Sequence, residues 1–162
     1  MKLKKAVFLF LALLFPVCIF VFLKYFGKNE FTVPALFADV HPEGISDCGI
    51  TIMLPYHIPD SVQESLQLPK DSLILIHFGE DSTESQQQLT RVKHEYGNEM
   101  PLKFLHASDS ISYLRKCIFF LTGGYDLVLL DGDGVIRGQY KAGDREEVDR
   151  LLMEIAILLK RY

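Results

Sequence analysis

The first 26 residues differ from the rest of the chain in their hydrophobic pattern. From Ala6 to Leu23 the sequence runs for 18 residues without a charged side chain. As an α-helix rising about 1.5 Å per residue, this run almost crosses a hydrocarbon core of about 30 Å. Residues 1–26 are therefore predicted to form a cytoplasmic tip and a transmembrane anchor, with membrane contact through residues 6–26.

A cleaved signal peptide is the alternative for this segment. The apolar run is longer than the usual core of a signal peptide, and no pair of small residues marks a cleavage site before Lys28. The uncleaved anchor is therefore favoured. Because Lys2, Lys4 and Lys5 outnumber the basic residues just after the run, the N-terminus is expected inside. We expect a single-pass protein of the inner (cytoplasmic) membrane with an extracytoplasmic C-terminal domain.

Residues 27–54 lack a regular hydrophobic pattern. Apolar residues are isolated there, and Pro34, Pro42, Gly44 and Gly49 interrupt any period of 2 or 3.6 residues. This stretch is predicted to be an extracytoplasmic spacer, which could pack in part on the domain that follows.

Residues 55–162 alternate between strand and helix patterns. Short segments of four to six residues rich in apolar side chains predict strands, and Leu73–Phe78 is a continuous apolar run typical of a central strand. Apolar residues at helical spacing between these segments predict helices. The strands are expected at Leu73–Phe78, Leu102–Ala107, Leu127–Leu130 and Val135–Tyr140. Helices are expected from Thr83 to Gly97, after Asp109, and after a capping Asp144.

The predicted order is strand, helix, strand, helix, strand, strand, helix. A right-handed βαβ unit followed by a hairpin and a covering helix gives an α/β domain with a thioredoxin-like fold, here placed behind one N-terminal transmembrane helix. Chemistry in such a sheet is expected at the C-terminal end of its first strand. The candidate site is therefore the loop Gly79–Thr83, facing the loop Thr122–Tyr125.

The candidate loop contains no cysteine. Thioredoxin-type exchange needs two closely spaced thiols at the start of the first helix, so that mechanism is not expected here. Cys48 and Cys117 lie far apart in sequence, and whether they pair cannot be read from the sequence. A thiol-disulfide or peroxide-handling enzyme that uses either cysteine is one alternative hypothesis.

A metal site built on histidines is a second alternative hypothesis. The predicted parallel strands carry His77 and His106 to the same edge of the sheet, where they could form a metal site with nearby carboxylates. Histidines in such positions are more often buried against a helix, or placed there by the alternation of side chains along a strand, than bound to a metal ion. Asp131-x-Asp133-Gly lacks the remaining ligands of a calcium loop and is predicted to be a hairpin turn.

Charge excludes one class of partner. Of the 17 basic residues, four lie at positions 2, 4, 5 and 24, which leaves 13 against 21 acidic residues and a formal charge of −8 for the rest of the chain. Nucleic acid, which binds basic surfaces, is therefore not an expected partner.

Three stretches carry a resemblance to a known family. Leu127–Lys160, Tyr56–Asp60 and Gln87–Val92 resemble segments of Sco/SenC proteins, the membrane-anchored thioredoxin-fold copper chaperones of cytochrome oxidase assembly. The resemblance implies the fold, the anchor and the extracytoplasmic compartment. It also implies copper as a cofactor.

The ligand positions of that family are occupied by other residues here. The family binds copper through a C-x-x-x-C motif and a histidine, and the resemblance places these near Phe78, Ser82 and Gly123. No catalytic, cofactor-binding or metal-binding residue is therefore predicted. The expected function is that of a non-enzymatic accessory or assembly module for a protein partner, in the setting of respiratory oxidase biogenesis.

Overall fold

The structure is a computed structural model that describes residues 2–26, 31–42, 48–70, 72–79, 82–98, 102–104 and 109–159. The chain divides into two compact units, Met1–Thr32 and Val33–Tyr162. The first unit contains helix α1, Lys2–Phe26. The second contains four strands and four further helices.

The elements of the second unit follow one another as helix, strand, helix, strand, helix, two strands and helix. In chain order they are α2 Asp60–Ser65, β1 Ile74–His77, α3 Thr83–Tyr96, β2 Leu102–Phe104, α4 Asp109–Tyr113, β3 Leu127–Leu130, β4 Ile136–Tyr140 and α5 Arg145–Leu158. Helix α4 continues into one turn of π-helix, Leu114–Ile118. Helix α2 and the π-helical turn were not anticipated from the sequence.

Helix α1 does not meet the requirements of a membrane span. Among the helices of the described residues, none is both long and apolar enough to cross a membrane. The predicted transmembrane anchor, and with it the predicted single-pass location with an extracytoplasmic domain, are corrected.

The sheet of the second unit has the order β2-β1-β3-β4. Strand β1 pairs in parallel with β2 and antiparallel with β3, and β3 pairs antiparallel with β4. The register between β3 and β4 shifts between Leu129 and Leu130. All four residues of β1 and of β3 are buried, as their continuous apolar runs predicted for central strands.

The two faces of the sheet support separate apolar clusters. On one face Leu75 and Leu129 pack with α3 and α5, through residues such as Leu89 and Leu151. On the other face Ile76 and Val128 pack with the residues that follow the π-helical turn and with the N-terminal part of the unit. Alternation of side chains along each strand directs neighbouring residues to opposite clusters.

The described residues 33–42 and 48–58 contribute to the second cluster. The N–H of Leu36 donates to the carbonyl of Ile136 at 2.9 Å, and the N–H of Ile58 donates to that of Gly134 at 2.9 Å. The ring of Phe37 meets Phe120 edge to face, with ring centroids 5.4 Å apart. The described part of the stretch predicted as a spacer therefore packs on the sheet from residue 33 onward.

The fold class predicted from the sequence is corrected by these observations. It was a thioredoxin-like domain behind one transmembrane helix, and no described helix spans a membrane. The structure instead supports a mixed α/β unit that begins at Val33, includes the additional helix α2 and has a four-stranded sheet. The sequence pattern could not show this extension because residues 33–58 are held by contacts with distant residues.

Helix α5 begins at the cap that the sequence predicted. One carboxylate oxygen of Asp144 accepts hydrogen bonds from the N–H groups of Glu146 and Glu147. Replacing Asp144 by Ala is expected to lower the free energy of unfolding by about 1 kcal/mol, because those N–H groups lose their acceptor. Urea unfolding followed by circular dichroism measures this. An Asp144→Asn variant should retain most of the stability, and equal losses in both variants would contradict capping as the cause.

Candidate functional site

The two cysteines of the second unit form a disulfide. Cys48 and Cys117 are bonded across 69 residues of sequence, with their Cα atoms 5.6 Å apart. Cys117 lies buried in the π-helical turn, whereas Cys48 is partly exposed. The pairing that the sequence left open is therefore present, and it ties the N-terminal part of the unit to the turn of helix that precedes β3.

The chain adopts an unusual conformation just after Cys117. Phe120 is buried and has a φ of +52°, which bulky residues rarely adopt. The side-chain amide of Gln139 on β4 donates to the carbonyls of Phe119 and Phe120, at 2.7 and 3.2 Å. The ring of Phe120 also contacts Phe37 and Tyr56. Contacts from three distant parts of the unit therefore hold this backbone in place.

The site was predicted in the loop Gly79–Thr83 at the C-terminal end of β1, and residues 80 and 81 of this loop lie outside the described residues. His77, the last residue of β1, is only 1% exposed, and its Nε2 atom lies 3.7 Å from Oδ2 of Asp126. The other carboxylate oxygen of Asp126 accepts a hydrogen bond from the N–H of Ala142 at 2.6 Å. The main chain of Asp126 also accepts from Phe78 at 2.7 Å. The carboxylate is therefore fixed beside the imidazole.

Gly79 leaves a small space next to this pair. A Cβ atom at Gly79 would lie 2.9 Å from Nε2 of His77 and 3.5 Å from Oδ2 of Asp126. Both polar atoms therefore lie close to the point where a side chain at residue 79 would begin. We call His77, Gly79 and Asp126 the β1-end site. Asp126 was missed in the sequence, although its position directly before a buried strand, after the loop Thr122–Tyr125, was a usable signal.

The other predicted metal residues do not join this site. His106 lies outside the described residues, so the predicted His77 and His106 pair is not described. His41, His57 and His94 are exposed. Within the described ranges no group of three or more histidine, cysteine, aspartate or glutamate side chains could hold a metal ion.

The positions implied for copper ligands lack suitable donor atoms. Phe78 is buried in the second cluster, and Gly123 has a φ of +61° in a turn. The hydroxyl of Ser82 caps α3 by accepting from the N–H of Ser85 at 3.1 Å. None of the three offers a thiolate or an imidazole, so these residues do not fit the copper of the resembled family.

The Asp131 hairpin is a structural turn. The Oδ1 atom of Asp131 accepts hydrogen bonds from the N–H groups of Asp133 and Val135. The Oδ2 atom of Asp131 forms an ion pair with Arg137 at 2.7 Å. Both carboxylate oxygens are thus used in shaping the turn. The prediction of a hairpin at this position is confirmed.

A wide polar recess lies along α3. We call it the α3 recess; its volume is 550 Å³, and it is lined by Thr83, Gln86, Gln87, Gln88, Thr90, Arg91 and Arg145. Four of these side chains are exposed and uncharged, and they follow one another at helical spacing. Arg91 pairs with Asp149 at 2.5 Å, while Arg145 is 78% exposed and lies 3.8 Å from the same carboxylate. The described residues that line the recess offer amide, hydroxyl and guanidinium groups, and none of them carries a carboxylate.

Because of two buried tyrosines, the free energy of unfolding of the unit is expected to fall at alkaline pH. Burial raises the pKa of the Tyr56 and Tyr140 hydroxyls above the usual value, and Glu154, which accepts a hydrogen bond from Tyr140, raises that of Tyr140 further. The unfolded chain releases these protons near pH 10, whereas the folded chain keeps them. Stability is therefore fully present below about pH 10 and falls as the pH rises above it.

Urea unfolding at pH 8 and pH 11 measures this effect, in a Cys18→Ser background that removes the free thiol. The fall in the free energy of unfolding between pH 8 and pH 11 should be smaller in the double variant Tyr56→Phe with Tyr140→Phe than in the parent. An equal fall in the variant and the parent would show that other groups are responsible.

Comparison with known proteins gives little. No protein-family model matches the chain, and no curated protein matches it. Among solved structures, a ternary complex of aklavinone-11 hydroxylase with FAD and aklavinone is similar over 59% of this chain and 18% of that one, at 16% identity and a TM-score of 0.39. A similarity this weak supports no inference about fold or function. The comparisons give no support for a role in cytochrome oxidase assembly, and that prediction is corrected; the Sco/SenC resemblance itself stays a prediction.

Proposed function

We propose that this protein is a non-catalytic binding module whose second unit presents a rigid surface to a protein partner. The observation that carries the proposal is the Cys48–Cys117 disulfide. It bonds both cysteines of the unit to each other, and one of the two sulfurs is buried in a helical turn. A thiol catalyst needs an accessible, activated thiolate, which this arrangement does not provide.

The N-terminal part of the unit is held in place by further contacts besides the disulfide. Residues 33–42 and 48–58 are held against the sheet by several contacts. They are the disulfide, the ring contacts among Phe37, Tyr56 and Phe120, and the main-chain hydrogen bonds from Leu36 and Ile58. These contacts lie on the face of the sheet opposite α3 and α5, so they hold the sheet itself in place. A sheet that is held in place loses little conformational entropy when a partner binds to the helices packed on it.

The α3 recess is the surface we assign to the partner. Charged residues are depleted at the centres of protein interfaces, and the stripe of Thr83, Gln86, Gln87 and Thr90 is uncharged. Arg91 and Arg145 lie at the same recess, where the guanidinium of Arg145 is largely exposed. This chemistry suits an extended protein segment that presents backbone carbonyls and carboxylates.

An activity measurement separates this proposal from thiol catalysis. The oxidised full chain is expected to leave the rate of insulin reduction by dithiothreitol unchanged. An acceleration that disappears in a Cys48→Ala, Cys117→Ala variant, but persists when the free and exposed Cys18 is replaced by Ser, would overturn the proposal in favour of the thiol-disulfide alternative.

Photo-crosslinking in the source cells tests the assigned surface. Benzoylphenylalanine placed at Gln87 should give one discrete protein adduct, which a Thr90→Glu substitution in the same chain should weaken at least fivefold. The control position is Met153 on α5, which is 66% exposed and does not line the recess. Equal adducts at both positions, or none at Gln87, would contradict binding at the α3 recess.

A further inference from the structure

We propose that the segment bound at the α3 recess is acidic, and that one of its carboxylates lies between the guanidinium groups of Arg91 and Arg145. The inference rests on the proposed function and names the kind of partner that the recess fits. It is carried by the unequal charges of three side chains on α3 and α5, which are Arg91, Arg145 and Asp149.

The carboxylate of Asp149 is shared by both arginines. Its Oδ1 atom accepts a hydrogen bond from Nη2 of Arg91 at 2.5 Å, and its Oδ2 atom lies 3.8 Å from Nε of Arg145. The second distance is too long for a hydrogen bond. Among the ion pairs of the described residues, neither arginine has a second carboxylate partner. Two positive charges therefore face one negative charge, which leaves one positive charge uncompensated at the recess.

The guanidinium of Arg145 has donors available for a ligand. A guanidinium carries five N–H groups in a planar fork, which binds a carboxylate through two parallel hydrogen bonds. In the described part of the chain, Arg145 forms no hydrogen bond through its side chain, which is 78% exposed. Arg91 donates to Gln88 and to Asp149, so some of its N–H groups are also unused. A carboxylate from a partner can therefore bind without displacing an existing hydrogen bond.

The uncharged stripe of the recess suits the main chain of the same segment. Its four exposed side chains carry amide or hydroxyl groups, which both donate and accept hydrogen bonds. Each peptide group of an extended segment likewise offers one donor and one acceptor. The recess volume of 550 Å³ lies within the usual range of binding pockets, about 300–1,000 Å³. The recess therefore has room for a short segment whose carboxylate reaches the two arginines.

The charge of the remaining surface directs an acidic segment to this recess. The chain has 21 acidic against 17 basic residues, so an acidic segment is repelled by much of its surface. A local positive charge on such a background attracts the segment at one place and disfavours others, which gives specificity. A nucleic acid presents a continuous row of phosphates and would meet this repulsion along its whole length. The recess therefore fits an acidic protein segment and not a nucleic acid.

Titration of the full oxidised chain with two short peptides tests this inference. The probes are acetylated and amidated Ala-Glu-Glu-Ala and Ala-Gln-Gln-Ala, which differ in charge but hardly in size. Binding is followed by nuclear magnetic resonance of the isotope-labelled chain, through the side-chain signals of Gln87 and Arg145. The acidic peptide should bind about threefold more tightly than the neutral one, and this difference should shrink when added salt screens the charges.

Three variants locate the effect. Arg145→Gln should remove the preference for the acidic peptide, because the available guanidinium is lost. Asp149→Asn removes the competing negative charge and should strengthen binding of the acidic peptide by about threefold. Lys93→Gln is the matched control, since Lys93 is an exposed cation on α3 that does not line the recess, and it should bind as the parent does. Circular dichroism establishes that each variant is folded.

Equal binding of the two peptides by the parent chain, or binding of neither, would overturn the inference, as would a preference for the acidic peptide that survives in Arg145→Gln. Photo-crosslinking from Gln87 separates this failure from failure of the proposed function. An adduct that forms equally in the parent and in an Arg145→Glu variant contradicts the acidic segment but leaves binding at the recess intact. No adduct from the parent contradicts the proposed function, and the inference falls with it.

Discussion

Replacing Cys48 and Cys117 together by alanine is expected to lower the free energy of unfolding by about 4 kcal/mol. The bond closes a loop of 69 residues, and the reduced chain gains the conformational entropy that this closure removes from the unfolded state. A loss of that size lowers the melting temperature by on the order of 10 °C. Urea unfolding and thermal melts under non-reducing conditions measure both quantities.

The matched control for this variant is Cys18→Ser, which removes the free thiol and should leave stability unchanged. Dithiothreitol should destabilise the parent chain by a similar amount and have no effect on the alanine variant. A loss below about 1 kcal/mol in the alanine variant would show that contacts of residues 33–58 hold the unit together without the bond.

Replacing Tyr140 by alanine is expected to cost about 3–5 kcal/mol. The Tyr140 side chain is fully buried in the cluster beneath α5, and the Arg150 guanidinium lies over its ring, 4.5 Å from the centroid. Its hydroxyl donates to Glu154. The substitution removes the packed ring, the cation–π contact and the hydrogen bond together, and urea unfolding measures their joint loss.

Two further variants separate these contributions. Tyr140→Phe keeps the ring and should cost about 1.5–3 kcal/mol, because the buried hydroxyl and its bond to a carboxylate are lost. Tyr113→Ala, at a tyrosine that is 48% exposed, should stay within about 0.5 kcal/mol of the parent. If Tyr140→Ala were no worse than Tyr113→Ala, the ring would not be part of the core.

The glycine two residues before Tyr140 belongs to the same arrangement. A Cβ atom at Gly138 would overlap the hydroxyl of Tyr140, so the ring lies across the strand only because position 138 has no side chain. The sequence shows a glycine inside a strand, which by itself suggests a close approach. It does not show that Tyr140 is the residue that makes that approach.

Local patterns determined the regular elements of the second unit. Apolar runs located β1 and β3, the Asp-Gly-Asp-Gly stretch located the hairpin before β4, and Asp144 located the start of α5. These features depend on neighbours in the sequence, because strand burial, turn conformation and helix capping are each set within a few residues.

Long-range contacts decided the remaining features. The Cys48–Cys117 bond, the packing of residues 33–58 and the approach of Asp126 to His77 each join residues that are far apart in sequence. No periodicity encodes such pairs, since they depend on how the sheet brings distant segments together. The membrane anchor predicted from the N-terminal apolar run is corrected, because no described helix is both long and apolar enough to cross a membrane. The sequence by itself determined the strands, turns and helix caps, and only the tertiary structure decided which side chains meet at the β1-end site.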